Sequence, residues 1–288
     1  MMLKAWLIYD REMAEYNKHY ITSYIAEGKN RNIDFQLLYS EDISFGIRNG
    51  SWYLLNKGTA IMCPDFVICR CIYPLLSKQL EYLNIKVYNN SFVSEICNDK
   101  AKTYQYVATT GIPMVDTMFC KNSILNDTLP TLDLDQVIKS VSGHGGNQVF
   151  HRDKINMDQD MIMKLGADDV VIQPFIGKKH QDLRVYVIGK EVVSAVLRTS
   201  KEGFRSNFSL GGEVRLYSLS NQEYEIVKKI IDLFDFGLVG IDFLIGDQGE
   251  LIFNEIEDVV GSRMLYQCSN INIVSLYLDY ILSITAYK

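Results

Sequence analysis

The chain has 288 residues, of which 48% are hydrophobic and 22% charged, a composition that is typical of globular proteins and excludes a disordered chain. Its 29 basic and 35 acidic residues give a net charge of −6, and the basic residues form no run that could follow a nucleic acid backbone. No stretch reaches the ~20 consecutive apolar residues of a membrane helix, and the N-terminus turns polar too early for a signal peptide. We therefore expect a cytoplasmic protein that binds neither nucleic acid nor membranes.

The first 91 residues alternate between strand and helix patterns. Between the apolar runs, residues such as Leu76, Leu80 and Leu83 recur on one helical face. The turn pair Asn49-Gly50, flanked by strand-like residues, predicts an added hairpin. The runs that predict strands are 3–9, 35–39, 66–69 and 86–88. This order predicts a small parallel α/β domain over residues 1–91.

The middle of the chain, residues 92–176, is predicted to be a second unit of α+β type. Helical residues from Ser91 to Thr110 end at Gly111, with Pro113 following, which predicts one helix. A further helix is predicted around 158–165. The predicted strands of this unit are 114–119, 136–141, 148–150 and 170–176. A polar stretch at 177–181 marks a second boundary.

Residues 177–288 form the third predicted unit, with two hairpins and two helices. One hairpin turns at Gly189-Lys190 and the other at 246–249. The helix between them begins with Ser220 and Glu223 at the spacing of a capping box. The last helix is predicted from about Ile273.

Three carboxylates lie on the second of these hairpins. If residues 246–249 form its loop, Ile245 opposes Glu250 and Asp242 opposes Phe253, so that Asp242, Phe253, Glu255 and Glu257 share one face. Converging carboxylates repel one another unless a cation joins them, and oxygen ligands favour Mg²⁺ or Mn²⁺. The alternative is a solvated acidic face, which the apolar neighbours on both faces make less favourable.

A lysine and a glycine-rich turn provide a second candidate feature. Lys139 lies in a predicted strand just before the sequence SGHGG at 142–146. Glycines allow backbone N–H groups to approach a polyphosphate, and a lysine adds a positive charge. Taken alone this is a weak signal, because it fits neither the Walker loop nor the GxGxxG spacing.

Arginines on the first hairpin and in the following loop form the third feature. Asp182 and Arg184 share one strand face, and Arg198 lies on the partner strand. Arg205 and Asn207 follow in the loop. The turn register decides whether Arg198 joins the face of Asp182, and a surface salt bridge is the alternative interpretation.

In chain order, these segments resemble the ATP-grasp superfamily, and most closely its RimK-like glutamate ligases. The likeness covers nearly the whole chain. It is carried by NDKAKTYQYVATTGIP, VIKSVSGHGG, VIQPFI, DLRVYVIGKEVVSAVLR, FRSNFSLGG and LVGIDFLIGDQGELIFNEIE. The resemblance implies an ATP-grasp fold, in which a small parallel α/β domain precedes two α+β subdomains that hold ATP between them.

The resemblance also implies roles for individual residues. Lys100 and Lys139 would contact the phosphates, and Asp182 would lie beside the nucleotide. Arg198 and Arg205 would neutralise charge on the transferred phosphoryl group, with Asn207 beside the metals. The glycines that would cover the phosphates are Gly143, Gly145 and Gly146, the adenine hinge would be Gln173, Pro174, Phe175 and Ile176, and the ligands of two Mg²⁺ ions, with Mn²⁺ as an alternative metal, would be Asp242, Glu255 and Glu257.

The activity that the resemblance implies is an ATP-dependent carboxylate–amine ligase that forms an amide through an acyl phosphate. A glutamate-like amino acid would be added to a peptide, a protein tail or a small metabolite. Two alternatives stay open. One is an ATP-grasp phosphotransferase that forms no amide, and the other is a non-catalytic nucleotide-binding module.

Three departures from the family pattern bear on metal and substrate. Glu257 replaces the usual Asn, Pro174 lacks an N–H in the adenine hinge, and residues 259–263 lack the usual proline before glycine. Arg70 and Arg263 are candidates to bind a substrate carboxylate, with a surface role as the alternative for each. A homo-oligomer is compatible with the sequence.

Overall fold

The computed structural model describes residues 2–146, 148–153, 158–176, 181–199 and 213–285. Its strands, in chain order, are β1 (Leu3–Tyr9), β2 (Ile33–Tyr39), β3 (Ile43–Arg48), β4 (Ser51–Asn56), β5 (Thr59–Ala60), β6 (Phe66–Cys69), β7 (Lys86–Tyr88), β8 (Met118–Cys120), β9 (Gln136–Ser140), β10 (Val149–Arg152), β11 (Val170–Pro174), β12 (Gln181–Ile188), β13 (Glu191–Thr199), β14 (Glu213–Tyr217), β15 (Leu238–Ile245) and β16 (Leu251–Glu257). Its helices are α1 (Arg11–Tyr16), α2 (Lys18–Lys29), α3 (Pro74–Tyr82), α4 (Ser91–Cys97), α5 (Lys100–Ala108), α6 (Leu125–Thr128), α7 (Asp158–Leu165), α8 (Asn221–Leu233), α9 (Arg263–Cys268) and α10 (Ile273–Thr285). None of the described helices is long and apolar enough to cross a membrane.

The strands of the described residues form four sheets. The N-terminal sheet is parallel, in the order β2-β1-β6-β7, and the predicted hairpin at Asn49-Gly50 is present as β3 and β4 of a separate three-stranded sheet. The central sheet is antiparallel, in the order β10-β9-β11-β8. The C-terminal sheet is also antiparallel, in the order β14-β13-β12-β15-β16. The chain therefore combines a parallel α/β part with antiparallel α+β parts, as predicted.

The single helix predicted over 91–110 is wrong, because the structure divides it into α4 and α5. Helix α4 ends at Cys97, and the carboxylate of Asp99 then accepts a hydrogen bond from the Lys102 N–H at 3.0 Å, which caps a new helix. Lys100 is consequently the first residue of α5. Its N–H donates to the carbonyl of Val141, so the helix begins beside the glycine-rich turn.

The strand predicted at 114–119 is also shorter than expected. Only Met118–Cys120 forms strand β8, at the edge of the central sheet, whereas Met114 makes an isolated bridge to Phe253 of β16. Pro113 explains part of the difference, because it cannot donate to a ladder, and its carbonyl instead accepts the N–H of Phe253 at 3.0 Å. This segment therefore connects the central sheet to the C-terminal sheet.

The cores show how the sheets are joined. Helices α5 and α8 pack on one face of the C-terminal sheet, around Val227, Ile230 and Phe243. A second core combines residues of the N-terminal sheet, such as Leu7 and Phe66, with the other face of the C-terminal sheet and with α10. The central sheet has its own smaller core. The boundaries at 91 and 177 remain predictions. The second core contains residues from both the first and the third predicted unit, so these two units pack directly against each other.

The capping box predicted for α8 is confirmed and provides a test of local stability. The Ser220 hydroxyl accepts the Glu223 N–H at 3.3 Å, and the Glu223 carboxylate accepts the Ser220 N–H at 2.7 Å. We expect Ser220→Ala to lower the free energy of unfolding by about 1 kcal/mol, because the first turn loses its cap. Urea denaturation measures this loss.

Ser283→Ala is the matched control. Its hydroxyl also bonds to the backbone, but it donates to the carbonyl of Tyr280 from the exposed last turn of α10. A serine at this position caps no N-terminus, so we expect a change within about 0.5 kcal/mol. Equal losses in the two variants would contradict a specific role for the cap.

Candidate functional site

A cleft of about 860 Å³ lies between the central sheet and the C-terminal sheet. The structure brings all ten residues predicted for ATP to this cleft, and Val115, Val137, Val149 and Leu244 supply apolar surface among them. The ten are Lys100, Lys139, Gly143, Gly145, Gly146, Gln173, Pro174, Phe175, Ile176 and Asp182. Arg198, Asn254 and Glu255 line the same cleft.

The acidic hairpin of β15 and β16 has a different register from the one predicted. Ile245 pairs with Leu251 instead of Glu250, and a bulge at Asn254 then places Asp242 opposite Glu255. Phe253 consequently pairs with Phe243 in the core, and its predicted place on the carboxylate face is wrong.

The three carboxylates nevertheless converge. Oxygens of Asp242, Glu255 and Glu257 lie within 4.8 Å of one another. Asp242 is 1% exposed, whereas about a third of each glutamate side chain is accessible, and Glu255 lines the cleft. An oxygen-only set of this size, partly open to solvent, fits a hard divalent cation such as Mg²⁺.

Two buried arginines hold Asp242 in place. Arg184, on the neighbouring strand β12, donates from Nε to Oδ1 at 2.7 Å and from Nη2 to Oδ2 at 2.6 Å. Arg198, on the next strand β13, donates from Nη2 to Oδ2 at 2.8 Å. Burial alone would raise the pKa of Asp242, but the two guanidinium groups outweigh it and hold the pKa below its usual value. Asp242 is therefore ionised at neutral pH.

The two arginines that bind Asp242 also contact two further carboxylates, Asp182 and Glu257. Arg198 also forms a bidentate contact with Asp182, so the turn register does place these two residues on one face. Arg184 reaches Glu257 at 2.6 Å. Asp242 keeps a free acceptor direction on Oδ1, since only one described donor contacts that oxygen. The network thus leaves room for a metal at the carboxylates.

The sequence marks Arg184 only as an arginine on the strand face of Asp182 and gives no role to Asn254, and the structure places both at the site. Arg184 lies two residues after Asp182 in the same strand, and residues two apart share a face of the sheet. This spacing was the sequence evidence that Arg184 lies on the face of the site. Asn254 gave no signal, because its position depends on the bulge. Its side-chain oxygen accepts a hydrogen bond from Nζ of Lys139 at 3.0 Å.

The two lysines meet next to the glycine-rich turn. Nζ of Lys100 donates to the carbonyl of Gly143 and lies 3.8 Å from Glu255. Positive φ angles at Gly145 (63°) and Gly146 (77°) give the turn a conformation that side chains rarely adopt. Burial, with the neighbouring charge of Lys100, lowers the pKa of Lys139 to about 8 although Glu255 opposes the shift. Two cations thus face one wall of the cleft.

The predicted hinge occupies the end of β11. Gln173 is buried and donates from Nε2 to the Thr117 hydroxyl at 2.9 Å. Pro174 has no N–H, and the N–H of Phe175 donates to the carbonyl of Asp135. The ring of Phe175 lies 4.4 Å from that of His151. The hinge therefore offers the cleft carbonyl oxygens and apolar surface.

The remaining candidates lie away from the cleft or outside the described residues. Arg70 is buried between the N-terminal sheet and the loop after β16, and its Nη2 donates to the carbonyl of Val260 at 2.8 Å. Arg263 lies on the surface, over the ring of Tyr16 at 3.9 Å. Arg205 and Asn207 fall outside the described residues.

Comparison with known proteins agrees with this geometry. A model of the RimK-like ATP-grasp domain matches residues 97–281, well over half of the chain. β-Citrylglutamate synthase B of Homo sapiens is 27% identical over 98% of this chain and 78% of its own length. N-acetylaspartylglutamate synthase A of Homo sapiens is 28% identical over 99% of this chain and 77% of its own length.

Solved structures show the same fold. The ATP-grasp ligase PsnB, in complex with a phosphomimetic precursor variant, Mg and ADP, superimposes with a TM-score of 0.70 at 17% identity, over 98% of each chain. This likeness confirms the predicted ATP-grasp fold.

The buried ion network yields a stability test. We expect Arg184→Met to lower the free energy of unfolding by about 3 to 5 kcal/mol, because the buried Asp242 and the half-buried Glu257 remain near each other without their shared cation. Arg263→Met removes an exposed arginine that stacks on Tyr16, so it should cost about 1 kcal/mol or less. Urea denaturation without added metal measures both, and similar losses would contradict the network.

Proposed function

Because the chain belongs to the RimK-like ATP-grasp family, we propose that its cleft binds ATP and uses it to join a carboxylate to an amine. The chain is accordingly an ATP-dependent ligase that forms C–N bonds. The observation that carries the proposal is the convergence of three carboxylates with Lys100, Lys139 and Arg198 at one cleft. A site that only bound a nucleotide would not require this set of cations and metal-type ligands around the phosphates.

The proposed division of labour follows from the placement of each group. Lys100, Lys139 and the glycine-rich turn bind the phosphates, and the hinge at 173–176 binds the adenine through carbonyls and apolar surface. Asp242, Glu255 and Glu257 would hold two Mg²⁺ ions, with Mn²⁺ as a substitute. Bound there, the metal neutralises charge on the phosphoryl oxygens.

The reaction has two steps. An oxygen of the substrate carboxylate forms a bond to the γ-phosphorus of ATP while the bond to ADP breaks, which gives an acyl phosphate and ADP. The nitrogen of the amine then attacks the acyl carbon, phosphate leaves, and the amine loses a proton. Arg198 lies in the cleft where it can stabilise the negative charge of the transferred group. Positioning by these residues supplies the rest of the rate.

The substrate class is suggested by the relatives. Both human synthases are named for products in which glutamate is joined to a carboxylic acid, citrate in one and N-acetylaspartate in the other. We propose a glutamate-like amino acid as the amine of this chain. The carboxylate belongs to a small metabolite, a peptide or a protein tail.

The test measures ADP release and product mass with ATP, Mg²⁺ and arrays of carboxylic acids, short acidic peptides and amino acids. We expect ADP only when an acid and an amine are both present, with a product lighter by one water than their sum. Phosphorylated acid formed without any amine would indicate a phosphotransferase instead. Binding of ATP with no turnover of any pair would favour a regulatory module.

Glu255→Gln should abolish this turnover. The change removes a metal ligand but little volume, so we expect a loss of about 100-fold or more in rate with an unchanged melting temperature. Glu225→Gln, on the exposed side of α8, is the control that keeps activity. Full activity of Glu255→Gln at ordinary Mg²⁺ would contradict the metal assignment.

Lys139 should make ATP affinity depend on pH. Its lowered pKa of about 8 means that the ammonium is charged below about pH 8 and neutral above it. ATP binding should therefore weaken about tenfold as the pH rises from about 7 to 9, because a charged hydrogen bond to phosphate is lost. Calorimetric titration with Mg·ATP measures the effect, and Lys139→Met should show a flatter profile. Parallel profiles in the two proteins would contradict the role of Lys139.

A further inference from the structure

Arg70 is a buried arginine without a carboxylate partner among the described residues. It follows strand β6, at the carboxyl edge of the parallel N-terminal sheet, and is 6% exposed. Its Nη2 donates to the carbonyl of Val260 at 2.8 Å, and its guanidinium lies 5.2 Å from the centre of the Tyr20 ring. Arg184 and Arg198, buried to the same degree, each contact two carboxylates.

The groups around Arg70 also lack partners. Nε of Arg70 and the hydroxyls of Tyr9 and Tyr24 are buried, with no hydrogen-bond partner in the described part of the chain. The hydroxyl of Tyr20 lies 3.0 Å from the Ser262 hydroxyl. Buried donors are normally paired, so this cluster is one acceptor short.

Asp258 is the buried carboxylate that follows the proposed metal ligands, and it does not fill this gap. One of its oxygens accepts from Asn89 Nδ2 at 2.5 Å and the other from Asn98 Nδ2 at 3.0 Å. An arginine stays protonated in proteins, and burying an unpaired charge is costly. Among the described residues, therefore, no carboxylate forms a hydrogen bond with Arg70.

The cluster lies next to the proposed reaction centre. The Val260 side chain packs over Gly240, where an added Cβ would lie 2.6 Å from Val260 Cγ2 and 3.3 Å from Cδ of Arg184. Arg184 in turn contacts Asp242 and Glu257. Gly261, the residue after Val260, is exposed, and an added Cβ there would meet no atom within 4 Å.

We propose that Arg70, with the hydroxyls of Tyr9 and Tyr20, binds a substrate carboxylate other than the one that ATP activates. A guanidinium whose Nε has no partner among the described residues, with hydroxyls nearby, matches the planar fork of a carboxylate. Arg184 and Val260 separate this cluster from the metal ligands, so the group that binds here is not the reacting one. That the ligand is a substrate follows from the proposed function. The presence of an anion site at Arg70 does not depend on that function.

The test measures binding by calorimetry in the presence of Mg·ADP, without turnover. The probes are glutamate, citrate and N-acetylaspartate, each beside analogues in which one carboxylate at a time is a carboxamide. We expect Arg70→Met to weaken binding of one acid about 10- to 100-fold, and the analogue that lacks the bound carboxylate to bind wild type and variant alike. The acid that responds shows whether the carboxylate belongs to the amine substrate or to its partner.

Arg70→Lys keeps the charge but loses the fork, and should bind with intermediate affinity. Arg31→Met is the control, because Arg31 has its own carboxylates, Glu27 and Asp279, at the contact of α2 with α10. It should leave acid binding unchanged.

Thermal unfolding separates this role from a structural one. Without ligand, Arg70→Met should melt no lower than wild type, because it removes a buried unpaired charge. A large drop in melting temperature, an equal loss of affinity for acids and their amides, or a wild type that binds none of the probes would overturn the inference. Acid binding that depends on Arg70 in a protein with no ligase activity would preserve the site and refute the proposed function.

Discussion

Asp242 accepts hydrogen bonds from arginines on two different strands, and this buried contact fixes the register of the sheet that carries the site. Asp242 lies on β15, Arg184 on the neighbouring β12 and Arg198 on β13. A slip of any of these strands by one residue would turn a charged side chain into the apolar core on the other face. An unpaired buried charge costs several kcal/mol, so the network selects one pairing.

Two β-bulges make this strand pairing possible, and they explain why the register could not be predicted from the sequence. On β16 the bulge at Asn254 changes the parity of the strand and brings Glu255 opposite Asp242, while Asn254 itself contacts Lys139. On β13 a register shift near Val193 brings Arg198 opposite Asp182. Turn length alone predicts neither, because a bulge adds one residue without a distinctive sequence pattern. The loop is one residue longer than predicted, which moves the following residues of β16 to the opposite face, and the bulge at Asn254 moves those beyond it back. Glu255 and Glu257 follow the bulge and therefore keep their predicted face, whereas Phe253 precedes it and does not.

Most elements were predictable, since hydrophobic period, turn glycines and the Ser220 capping box are local signals. The break between α4 and α5 was missed because Asp99 lies within a continuous helical pattern, and its capping bond appears only in three dimensions. The grouping of lysines, glycines and carboxylates was available from the family resemblance. The contacts of Arg184 with Asp242 and Glu257 were not, because a charged residue on a strand says nothing about its partners. Arg70 was a candidate to bind a substrate carboxylate, but its burial without a carboxylate partner among the described residues could not be predicted.

The charges lining the cleft bear on how a nucleotide enters it. Among the described residues, the carboxylates Asp182, Asp242, Glu255 and Glu257 are met by an equal number of cations, Arg184, Arg198, Lys100 and Lys139. Glu257, where the family resemblance leads us to expect Asn, is compensated directly by Arg184 at 2.6 Å. Within this described set the charges therefore cancel, and divalent cations held by the carboxylates would add the positive charge that phosphates require. Arg184 thus compensates the additional carboxylate of Glu257 from within the protein.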